Sequence, residues 1–224
     1  MKKTNDNDAK HFLKIILNFL NKKKINYCVE RNYEKYPKKI TGDVDLIVDK
    51  KEIKSTTNQI IDIAKKNGWL LYQKNITSIN SYTSFVKKIF PNRFVFTLEM
   101  YSDASWKSFN YIEGDKILQE KVRYKNLFKP RAAHEAIITF FHHYLYNTEV
   151  PIKYRNKILQ LILQDKYYFK QCLKNLFFGN LPERIYKNII NKNWNYFDCY
   201  LVKYMKAQIV FKNIFFNPFF SLIK

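Results

Sequence analysis

The chain has 224 residues, 46% hydrophobic, 26% charged and 17% aromatic, which excludes a disordered or fibrous protein and allows one buried core with an extension. Its four glycines are too few for the Gly-rich phosphate loops of P-loop or dinucleotide-binding proteins. The formal net charge of +21 fits an anionic partner: nucleic acid, nucleotide, phosphorylated sugar or acidic membrane surface. It follows equally from a composition dominated by Lys, Asn, Ile, Tyr and Phe, so charge alone names no partner. Cys28, Cys172 and Cys199 are odd in number and lack CxxC spacing, as expected of reduced thiols inside a cell. No signal peptide and no apolar run of about 20 residues is read, so the expected location is cytoplasmic.

In chain order, Phe12, Ile15, Ile16, Phe19 and Leu20 fall at helical spacing within residues 7–23, with Asn7 or Asp8 as candidate N-cap. A short strand follows over 25–30, then a Lys-rich turn containing Pro37, then a strand over 42–48. Residues 51–67 repeat the helical pattern, with Gly68 as its stop and Asp49 as a candidate cap ahead of it. LLYQKN, SYTSFVKKIF and RFVFTLEMY read as three further strands, the last two joined by a turn at Pro91-Asn92. Residues 103–129 mix loop with short elements. After Pro130 helical spacing takes over, across 132–147, 152–176, 182–191 and 194–211. The expected fold is therefore α/β, a small mixed sheet with flanking helices over 1–129, followed by a helical C-terminal domain over 130–224.

The chemistry concentrates in Arg31-Asn32-Tyr33 and Gly42-Asp43-Val44-Asp45-Leu46. Side chains alternate along a strand, so Asp43 and Asp45 share one face while Val44 and Leu46 enter the core. Two adjacent carboxylates raise each other's pKa, and a divalent cation removes that penalty. Mg²⁺ or Mn²⁺ prefers oxygen ligands, typically one or two carboxylates with substrate phosphates. The pair thus suits a metal–triphosphate platform, with catalysis mostly by positioning and charge neutralisation. A third acid is expected from a neighbouring strand, as base or further ligand. Glu99 is the candidate because it lies inside an apolar strand, and Asp103 is its competitor. His134, Glu135, His142 and His143 complete no zinc ligand set, and core packing is their expected role, with His134 a candidate for the acceptor side of the cleft.

From Ile25 to Glu99 the sequence resembles the nucleotidyltransferase superfamily, the polymerase-beta-like fold: helix, strand, turn, Asp-x-Asp strand, and a third acid on a later strand. The resemblance narrows to uncharacterised bacterial nucleotidyltransferase-like proteins of surface-polysaccharide gene clusters. That narrowing rests on the Arg-Asn-Tyr stretch, Ser102-Asp103-Ala104-Ser105-Trp106-Lys107, and Ala132-Ala133-His134-Glu135-Ala136. It implies that Asp43, Asp45 and Glu99 are catalytic and metal-binding, and that a nucleoside triphosphate is the donor. A phosphorylated sugar or lipid-linked acceptor would receive the group. The superfamily's Gly-Ser or Gly-Gly pair is absent, and Glu30-Arg31-Asn32 stands near its place. Arg31, Asn32 and Gly42 are the nucleotide-binding candidates, and a lost nucleotide pocket is the alternative. Two further readings stay open: nucleotide addition to RNA, favoured by charge, and a non-catalytic binding module. The tail, FKNIFFNPFFSLIK, is a candidate for peripheral contact with the inner face of the membrane, although a packed helix explains its aromatics equally well.

Overall fold

The computed structural model describes residues 6–40, 42–89, 92–107 and 109–216. Among them are nine strands and eight α-helices, in two compact units: residues 1–103 with 114–130, and 104–113 with 131–224. No helix among the described residues is long and apolar enough to cross a membrane.

The first unit opens with helix α1 (Asp6–Lys22), so Asn7 and Asp8 lie inside its first turn instead of capping it. Strands β1 (Tyr27–Val29) and β2 (Val44–Val48) follow, then helix α2 (Ile53–Lys66). Asp49 Oδ1 accepts from Lys51 N at 2.9 Å, closing the turn before α2, where Glu52 holds the cap position. Gly68, at φ 75°, ends α2 in the left-handed conformation expected of it, and Trp69 N donates to Ala64 O at 2.9 Å.

Strands β3 (Leu70–Ile76), β4 (Asn80–Ile89) and β5 (Asn92–Tyr101) complete a five-stranded sheet of order β1-β2-β5-β4-β3. Pro91 lies outside the described residues. The sheet is mixed, because β2 and β5 run parallel while the other neighbours are antiparallel.

One face of the sheet is closed by α1 and α2. The buried side of α1 carries Phe12, Leu13, Ile16, Leu17 and Leu20, so the stripe is rotated from the expected one, and Ile15 and Phe19 sit at its margin. These residues join Val44, Leu46, Val48, Phe85, Phe96, Leu98 and Met100 in one core. Phe12 is its aromatic hub, with ring centroids 5.1 Å from Trp69 and Phe96 and 5.5 Å from Phe85. All five residues of β2 are buried, and alternation sends Asp45 and Ile47 to the face away from that core.

On the way out of β5 the chain enters the second unit through strands β6 (Ala104–Trp106) and β7 (Phe109–Ile112). It returns through helix α3 (Gly114–Gln119), which packs on β1 and β2, and the hairpin of β8 (Val122–Tyr124) and β9 (Leu127–Lys129). Gly114 admits no side chain, because a Cβ there would stand 1.6 Å from the Ser102 carbonyl oxygen. Its N–H donates to Asp103 Oδ1 at 2.8 Å.

In the second unit, helix α4 (Ala132–Asn147) is buried nearly all round, with Phe140 and Tyr144 against Phe197. The single helix expected over 152–176 is two, α5 (Ile152–Gln164) and α6 (Lys166–Leu176). Asp165 breaks it at ψ 51°, its carboxylate held by Arg131 at 2.7 and 3.1 Å. Helix α7 (Leu181–Ile190) follows. The helix expected from Trp194 begins with a 3-10 turn (Trp194–Tyr196) and then runs as α8 (Cys199–Phe216). Asn213 on α8 clamps the β6–β7 hairpin by accepting from Asn110 N at 3.0 Å and donating to Asn110 O at 2.9 Å. The tail from 217 onward, with Pro218, lies outside the described residues.

Candidate functional site

Asp45 sits in the middle of the sheet because β2 is apolar at every other position and is flanked on both sides. Its main-chain oxygen accepts from Glu30 N at 2.9 Å, extending the pairing one residue past β1. On the opposite edge of β2, the parallel register sets Asp45 directly across from Glu99. Two acids expected from separate segments are thus cross-strand neighbours, where like charges repel. Asp43 lies two residues ahead, exposed, just before the strand and not within it.

Glu30 is the residue that sequence reasoning passed over as a role-bearer. It is 7% exposed and shares the field of Asp45 and Glu99. Burial first, then the Asp45 charge, pushes its carboxyl up to about 7 against the pull of Arg31. The signal was present: an acid closes the apolar strand Tyr27–Val29 immediately before an arginine.

Glu99 behaves alike. Burial and the charges of Asp45 and Asp43 lift it to about 7, with Arg31 opposing, and its Oε2 accepts from the Tyr101 hydroxyl. Asp45 is also raised, by burial, against the Arg31 guanidinium.

That guanidinium is the positive charge beside Asp45 and Glu30. Arg31 Nε and Nη2 donate to Asp45 Oδ2 at 3.3 and 3.2 Å, and Nε stands 3.9 Å from Glu30 Oε2. Arg31 thus grips Asp45 and stands beside Glu30, and its charge also reaches Glu99. Asn32 takes the left-handed conformation at φ 59°, which Asn tolerates, and opens the 3-10 turn Tyr33–Lys35. Tyr36 then donates from its hydroxyl to the Asp43 carbonyl at 3.5 Å; burial, with the carboxylates, pushes this phenol up. Gly42, at φ 155°, adopts a conformation rare for other residues just ahead of Asp43.

The two candidates for third acid stand in different surroundings. Asp103 is occupied as a loop tether, its carboxylate accepting from Gly114 N and from Ser102 Oγ, while Glu99 faces Asp45. His134 is buried in the second unit, its ring 5.3 Å from Tyr168, and His143 lies 4.5 Å from Tyr154.

Among the described residues no three His, Cys, Asp or Glu side chains converge as a ready set of metal ligands. The donor chemistry of the acid cluster nonetheless fits a hard cation. It is all carboxylate oxygen and in excess of the Arg31 guanidinium, and Mg²⁺ commonly takes only one or two carboxylates, completing its shell with water and phosphate.

No protein-family model matches the chain, and no curated protein matches it. Two crystal structures from Helicobacter pylori align along most of its length. One is JHP933, 9% identical over 93% of this chain and 90% of that one, with a TM-score of 0.45. The other is a "putative nucleotidyltransferase", 10% identical over 95% of this chain and 97% of that one, with a TM-score of 0.38. Likeness at this level decides nothing about activity.

Proposed function

We propose that the chain is a metal-dependent nucleotidyltransferase that moves a nucleotidyl or other phosphate-containing group to a hydroxyl of a sugar, lipid-linked sugar or small molecule. One observation carries the reading. Asp45 and Glu99 face each other on parallel strands, with Asp43 and Glu30 beside them and one arginine among the four.

Asp43 and Asp45 are the residues that would hold Mg²⁺ or Mn²⁺. The ion supplies polarisation of the phosphoryl group and compensates its developing charge. Glu99, poised near neutrality at about 7, takes the proton from the acceptor hydroxyl. Arg31 and Asn32 steady the phosphates of a nucleoside triphosphate. The planar fork of Arg31 suits phosphate oxygens as well as it suits the Asp45 carboxylate it now grips. Surface-polysaccharide synthesis is the process in which such an acceptor would be used.

The test is a thermal-shift panel of ATP, CTP, GTP and UTP with Mg²⁺, on the wild type and on Asp43→Asn/Asp45→Asn. At about 100 times the dissociation constant a bound ligand stabilises by ~2.7 kcal/mol, within reach of such a scan. A Mg²⁺-dependent shift with one nucleotide, abolished in the double variant, is the expected result. The absence of a shift with all four sinks nucleotidyl transfer and leaves a binding role or a non-nucleotide phosphate donor.

The Arg31–Asp45 pair favours one rival, a non-catalytic module in which Asp45 is neutralised by the chain's own arginine. That rival requires Asp43→Asn to leave the protein's function intact.

A further inference from the structure

At the end of β1 away from Glu30, the first unit holds a cavity of about 530 Å³. Its walls come from the turn after α1, the start of β1 and the β8–β9 hairpin. Lys24, Lys121 and Arg123 line it, with Asn26 and Asn126, over an apolar floor of Leu127 and Phe128.

Three cations around one hollow repel each other, and an exposed chain would turn them away. Here they are held. Lys24 sits in a left-handed turn at φ 56°, which fixes where its side chain leaves the backbone. Lys121 is anchored from two sides, with its ammonium 4.6 Å from the centre of the Phe128 ring and donating to Asn26 Oδ1. Arg123 follows on β8, its Nε donating to the Lys125 carbonyl at 3.4 Å.

Among the described residues none of the three stands in an ion pair. The acid that acts on Lys121 is Glu52, whose Oε2 accepts from Asn26 N at 3.1 Å. Burial outweighs that attraction, together with the pull of Cys28, and lowers the Lys121 pKa. An anion carrying more than one negative charge relieves both the repulsion and the desolvation.

The volume exceeds what a bare phosphate fills and falls within the ~300–1,000 Å³ of small-molecule sites. Cations and amides together with the apolar Leu127 and Phe128 suit a charged group attached to a ring.

We propose that this cavity binds a ring-bearing phosphate ester, with Lys24, Lys121 and Arg123 on the phosphate. This inference does not rest on the role assigned to the acid cluster.

The experiment is calorimetric titration of the full chain in EDTA at about 150 mM salt, where surface charges further apart than ~8 Å are largely screened. The probes are AMP, pyrophosphate and adenosine. Without metal, the four carboxylates repel anions, so binding there is suppressed. AMP and pyrophosphate are expected to saturate one site, and adenosine to show none.

Lys121→Met with Arg123→Met should weaken AMP by at least about tenfold, or ~1.4 kcal/mol. Lys65→Met with Lys66→Met, an equal loss of charge on the exposed end of α2, should leave affinity within about twofold, as should Asp45→Asn. Lys24→Met, outside the hairpin, should weaken binding even if the paired variant fails to fold. Three results overturn the proposal: no saturable binding of AMP, equal weakening by the Lys65/Lys66 pair, or loss of binding on Asp45→Asn. Binding of pyrophosphate without AMP refutes the ring-bearing ligand class.

Discussion

Burial works against the charge of Glu30, and the protein keeps the residue nonetheless. Its carboxyl is lifted from 4.5 to about 7, so between those values the folded chain holds a proton that the unfolded chain has released. Stability contributed by the protonated form is full below the unfolded pKa and is lost as pH rises through about 7. Metal-free protein should therefore melt several degrees lower at about pH 8 than at about pH 5.5. Glu30→Gln should remove its share of that difference, an effect of order 2 kcal/mol at the higher pH, and leave the part that Glu99 contributes. A pH-independent melting temperature in the wild type would contradict the burial argument. Arg31 is the complementary case. Arg31→Ala leaves Asp45 buried without its counter-charge, which should destabilise by about 1.5–3 kcal/mol. Under the proposed function, Mg²⁺ should raise the melting temperature of this variant more than that of the wild type. Equal shifts in both would mean that the arginine and the cation do not compete for the same carboxylates.

At the scale of elements, Phe12 ties α1 to the sheet through three aromatic contacts, so Phe12→Ala should cost about 3–5 kcal/mol, read from the denaturant midpoint. Gly114→Ala drives a methyl into the Ser102 carbonyl, and α3 must shift from β1 and β2 to admit it. An overpacking cost of roughly 1–3 kcal/mol is expected, with faster amide exchange across α3. Strongly periodic or alternating segments were legible in the sequence. The strand bearing Asp45, the helix ending at Gly68 and the sheet strands over 70–101 all lie where their patterns put them. The break at Asp165 was not legible, because it depends on Arg131, 34 residues away, capturing a carboxylate that the helical pattern treats as an ordinary polar position. The same limit applies to the candidate site. The D-x-D spacing exposes Asp43 and Asp45 as a pair, but only the β2–β5 register puts Glu99 opposite, and only tertiary burial sets Glu30 apart from other strand-end acids.

For the whole molecule, the formal charge of +21 predicts salt-sensitive attraction to any polyanion, whatever the chemistry at the acid cluster. Retention of mixed-sequence single-stranded RNA should fall steeply between about 50 and about 200 mM salt, and equally for Asp43→Asn/Asp45→Asn. RNA held at high salt and released by that double variant would instead favour RNA as the acceptor.

The path of the backbone at Asp103 and Gly114 has a consequence for how the chain can be divided. It leaves the first unit at one of these residues and re-enters at the other, and a side-chain bond staples exit to entrance. The ribosome therefore delivers the β6–β7 hairpin before α4 and α8, the helices it packs against, exist. That hairpin must wait through the synthesis of about a hundred further residues for Asn213 to clasp Asn110. A protease cut or a stop codon after Pro130 would accordingly separate the sequence into halves without separating the folding units. The first half would carry away a hairpin whose own partners had been left behind.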